Sequence, residues 1–66
     1  MNYTREELLE AKRQIASTVH KLEEVVKTLE AKPDPARYRS QLTLAKRRVA
    51  AFTLALDLIE AQLQNP

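Results

Sequence analysis

The sequence has no cysteine, no glycine and no tryptophan, and only one histidine. Without cysteine there can be no disulfide, no thiolate nucleophile and no sulfur ligand for a metal. Without glycine there is no phosphate-cradling loop, since the backbone approach it requires is blocked by a Cβ. Tight two-residue hairpins between strands are disfavoured for the same reason. His20 stands alone, and carboxylates by themselves rarely hold zinc. The single histidine is also remote from any plausible partner acid and pocket, so no Ser/His/Asp set is expected to converge. Glu6, Glu7 and Glu10 can face Asp57 and Glu60 across a bundle, but no E-x-x-H pair of the di-iron kind accompanies them. These absences predict a chain that is not an enzyme, with no cofactor and no bound metal.

Long apolar runs are missing too. No stretch reaches the 18 or so residues needed to span a bilayer. The start of the chain, Met1 to Glu7, is polar and acidic with no apolar segment behind it, so a secretory signal is not expected. The expectation is a soluble, cytoplasmic protein. Interfacial membrane helices set Lys/Arg opposite their apolar face. Here the polar strip beside the most apolar stretch is Thr53, Asp57 and Glu60, so no membrane association is expected.

What is present is helical periodicity. Thr4 and Glu7 have the spacing of a capping box, and Tyr3 and Leu8 that of a hydrophobic staple. Leu8, Ile15, Leu22 and Leu29 recur every seven residues, with Val19 and Val26 between them. They occupy d and a heptad positions, although Arg5 and Lys12 open the a series poorly. Ala11, Thr18 and Val25 widen the stripe on one side, Leu9 and Ala16 on the other. Glu23 and Lys27 have the favourable i, i+4 orientation for an ion pair.

Lys32-Pro33-Asp34-Pro35 interrupts this pattern. A residue preceding proline is pushed out of the α region, and Asp34-Pro35 reads as an N-cap followed by proline at the first helical position. A second repeat follows without a miss: Tyr38, Leu42, Ala45, Val49, Phe52, Leu56, Ile59 and Leu63. The fold class is therefore all-α, a two-helix antiparallel hairpin in a single domain over residues 1–66. The predicted bounds are about 5–32 for the first helix, 33–34 for the loop and about 35–64 for the second helix. Leu8, Ile15, Leu22, Leu29, Leu42, Val49, Phe52, Leu56 and Ile59 form the expected core. Tyr3 and Tyr38 are expected to pack at its two ends.

The rear of the second helix is apolar as well. Leu44, Ala51 and Leu58 occupy c positions, and Leu54 and Ala61 occupy f, nearly opposite the a/d seam. A helix that is apolar nearly all round must be buried nearly all round. A chain of 66 residues without disulfides or metal usually gains the missing burial by oligomerisation. The expected function is thus a small structural or protein-interaction module. It self-associates through Leu44, Ala51, Leu54, Leu58 and Ala61, with a homodimeric four-helix bundle as the favoured form. Ala45, Ala51, Ala55 and Ala61 would let backbones approach closely. An adaptor binding a different protein through the same face is a second reading.

A third reading starts from charge. Residues 19–48 hold eight Lys/Arg against four acids, and the rest three against five, within a net charge of +2. Folding about Pro33/Asp34 pairs residue n with residue 67 − n and makes the loop half basic. Arg37, Arg39, Lys46, Arg47 and Arg48 are candidate phosphate contacts. Against a nucleic-acid partner stand the facing Glu23, Glu24 and Glu30 and the lack of an aromatic stacking platform. The stems of Lys46 and Arg48 also have an ordinary use in covering the seam.

Overall fold

Helix initiation at the N-terminus follows from two side chains. The Thr4 hydroxyl accepts from the Glu7 backbone N–H at 3.1 Å, and the Glu7 carboxylate accepts from the Thr4 N–H at 2.9 Å. This reciprocal cap, worth about 1 kcal/mol, opens α1 (Arg5–Glu30). A computed structural model describes residues 3–65, apart from the side chain of Pro35. Met1 and Asn2, the first residues of the polar N-terminal stretch, and Pro66 lie outside the described residues.

α1 stops two residues before the expected position. Ala31 is its C-cap, donating to the Lys27 carbonyl at 3.1 Å, and the Lys32 N–H donates to the Leu29 carbonyl at 3.2 Å. Lys32 precedes Pro33 and is driven out of helical geometry. The larger correction lies across the break. Pro35–Tyr38 is a single 3-10 turn, and α2 (Arg39–Gln64) begins only after it. Asp34 precedes Pro35 as expected, but its side chain makes no capping bond; its carbonyl accepts from the Arg37 N–H at 3.2 Å. Its backbone, at φ −121° and ψ 82°, is not that of an ordinary N-cap.

A fold about Pro33/Asp34 pairs Leu8 with Ile59, Ile15 with Phe52 and Leu22 with Ala45, and each of these pairs shares a groove. The long side chains of Lys12 and Lys46 reach further along the facing helix, to Glu60 and Glu30. The fold is the all-helical hairpin that the periodicity predicts, with α1 and α2 packed along their length and no strand among the described residues.

Leu8, Ile15, Val19, Leu22, Val26 and Leu29 of α1 are half-buried, as are Leu42, Val49, Phe52, Leu56, Ile59 and Leu63 of α2. Ala45 alone among the described residues is fully buried, at 5% exposure. Its methyl group is enclosed between the helices, and a larger side chain there would push them apart. Two packed helices can enclose only one seam, so this is all the core the hairpin has. Tyr38 is half-buried, whereas Tyr3 is 64% exposed. Tyr3 borders the groove containing Leu8 without packing down, so only one of the two expected end-packing tyrosines does so.

The result is a rod of 47 × 15 × 14 Å with a radius of gyration of 15.0 Å. A compact chain of this length would have a radius of about 11 Å. The accessible surface is 5325 Å², against about 4300 Å² for a compact monomer of the same mass. The excess is about 1000 Å².

Candidate functional site

The hairpin has two long flanks of opposite chemistry. One carries the e positions of both helices and is charged. There the Lys12 ammonium donates to the Glu60 carboxylate at 2.6 Å, and Lys46 pairs with Glu30 at 3.4 Å. Glu23, Lys27 and Lys46 line the groove above Val26 and Val49. Lys12, apparently misplaced in the apolar series, is half-buried because its stem covers the seam while its head reaches Glu60. Glu60 is correspondingly half-buried rather than part of a solvent strip.

Hydrogen bonding by Lys12, then the charge of that ammonium, then a bond from the Gln64 amide hold the Glu60 carboxyl below its ordinary pKa. A lowered carboxylate pKa means the folded state binds the proton less readily than the unfolded state. The resulting stabilisation is complete above the ordinary range near 4.3 and disappears as pH falls through the lowered value. Thermal unfolding followed by circular dichroism should show a lower midpoint at pH 3 than at pH 5.5. Glu60→Gln should lose part of that difference. An identical acid response in the variant and the parent would remove Glu60 as a cause.

The other flank is nearly free of charge. α1 contributes Ala11, Thr18 and Val25; α2 contributes Gln41, Ala55 and Gln62, with Arg48 at one point. A shallow groove here is lined by Leu22, Val25, Leu29, Gln41, Leu44, Ala45 and Arg48. The rear stripe of α2 adjoins it. Leu44, Ala51, Leu54, Leu58 and Ala61 are all exposed. The three leucines are 47%, 61% and 64% accessible, among the most exposed large apolar residues of the chain. Val25, at 44%, lies against Leu44 across the groove and extends the patch onto α1. The sequence signal for Val25 was its place in the widened α1 stripe; its exposure follows from how α1 is rotated. Leu9 is likewise exposed, at 44%, because the seam takes Leu8 and Lys12 instead.

The basic candidates do not form one cluster. Lys46 is engaged by Glu30, and the Arg37 guanidinium lies 5.7 Å from the centroid of the Tyr38 ring. Arg48 borders the apolar groove, and Arg39 and Arg47 are exposed. Lys27 pairs with Glu24 at 3.5 Å and not with Glu23, and Glu10 pairs with Arg13. His20 is exposed. Glu7 is held by the cap, and no group of three or more metal-ligating side chains gathers among the described residues. No helix among them is long and apolar enough to cross a membrane. Compared with models of known families, with curated proteins and with solved structures, the chain matches none.

Proposed function

We propose that this chain is a self-associating helical-hairpin module with no chemistry of its own. Two copies pack the rear of α2 against the rear of α2 and close a four-helix bundle. The observation that carries this reading is the exposure of Leu44, Leu54 and Leu58 on one stripe, at 47%, 61% and 64%. Isolated exposed leucines are ordinary, but a contiguous apolar stripe interleaved with alanine marks a contact surface. A face-to-face pair is also the simplest closed arrangement for one self-complementary patch.

Sedimentation of the purified chain at about 10–100 μM, concentrations that detect micromolar dissociation constants, should give twice the protomer mass of 7.6 kDa. A monomer throughout that range would remove the reading. It would leave the patch to a partner of a different sequence.

A further inference from the structure

Charge along α2 is sorted by sign. Its first half carries Arg39, Lys46, Arg47 and Arg48 and no acid, and its second half carries Asp57 and Glu60 and no base. Lys46 and Glu60 are engaged with α1 on the charged flank. Arg47 and Asp57 are exposed and form no ion pair among the described residues. Arg47, at an f position, lies within the rear stripe of α2, and Asp57, at b, borders it on the f side.

We propose that the second copy seats on α2 in antiparallel orientation, each Arg47 meeting Asp57 of the other copy; this rests on the self-association reading. In a parallel pair related by a two-fold axis along the helices, every residue stands level with its own equivalent. Arg47, inside the stripe, would then lie against Arg47, with the basic halves of the two helices side by side. An antiparallel pair keeps each residue on its own side and reverses the order, so the basic half of each α2 meets the acidic half of the other and Arg47 meets Asp57. The apolar residues support the same arrangement independently. Setting Arg47 opposite Asp57 brings Leu44 onto Ala61 and Ala51 beside Leu54, within one residue. Leu44 and Leu54 then each have an alanine to fill against, while Leu58 falls beside Arg47.

The absence of native cysteine makes orientation directly readable. Ser40→Cys and Gln64→Cys chains, mixed and oxidised, should yield mainly the mixed disulfide by mass, with Ser40→Cys alone cross-linking poorly. Arg47→Asp and Asp57→Arg should each weaken the dimer at least about tenfold, and the double variant should return to within about threefold of the parent. Both side chains are exposed in the hairpin, so helicity is the control. A dimer in which Ser40→Cys links to itself, or in which the double variant shows no recovery, overturns the antiparallel arrangement and leaves self-association standing. A monomeric parent chain overturns both.

Discussion

Leu58→Asp should convert the dimer to a monomer while leaving the hairpin helical. Leu58 is 64% exposed within one chain, so α1·α2 packing does not depend on it. At the proposed interface it appears twice. Burying a leucine fully is worth about 1.5–3 kcal/mol, and about 1–2 kcal/mol of that remains for each Leu58 to gain on assembly. An aspartate forfeits the gain and must also be desolvated against apolar neighbours. At 1.4 kcal/mol per factor of ten, dissociation should strengthen by at least about 100-fold. Analytical ultracentrifugation reads the mass and far-ultraviolet circular dichroism reads the helix. A variant that stays dimeric with unchanged affinity would place the interface elsewhere.

Ala45→Leu tests the opposite link, the packing inside one chain. Ala45 is 5% exposed, enclosed between the helices. Extra methylenes there must spread α1 from α2 along the seam, an overpacking cost of about 1–3 kcal/mol. For a chain of this size, about 2 kcal/mol corresponds to a drop in Tm of roughly 10 °C. Because self-association would make Tm depend on concentration, parent and variant are compared at equal concentration. Ala50→Leu, at an exposed position on α2, serves as the control and should change Tm little. Equal Tm for Ala45→Leu and parent would mean the two helices are not held at this separation.

Much of this architecture was legible in the residues. The Thr4/Glu7 cap, the three-and-four spacing of Leu8 to Leu29 and of Tyr38 to Leu63, and the proline-bounded break are all local signals. Local hydrogen bonds and periodicity enforce them without reference to the rest of the chain. The start of α2 was not legible, because Asp34-Pro35 fits an α-helical start and a 3-10 start equally well, and the structure takes the second. Nor were the ion pairs of Glu60 with Lys12 and of Lys46 with Glu30, which depend on how far long side chains reach along the facing helix. Seam positions were legible because each is defined by its own helix.

The rear stripe of α2 was legible as an apolar face, but not the extension through Val25, which requires both the register and the rotation of α1. The basic residues read as one group in the sequence. In space they separate, since Lys46 on the e side and Arg48 on the g side project to opposite flanks.

That separation of flanks bears on how large an assembly can grow. A surface sticky on two opposite sides would recruit copy after copy into a filament. Here the e side carries the Lys12–Glu60 and Glu30–Lys46 pairs, with Leu9 exposed toward its open end. Stripping water from charges already matched would bring no new attraction. Self-association through the rear of α2 would therefore close at two copies rather than extend.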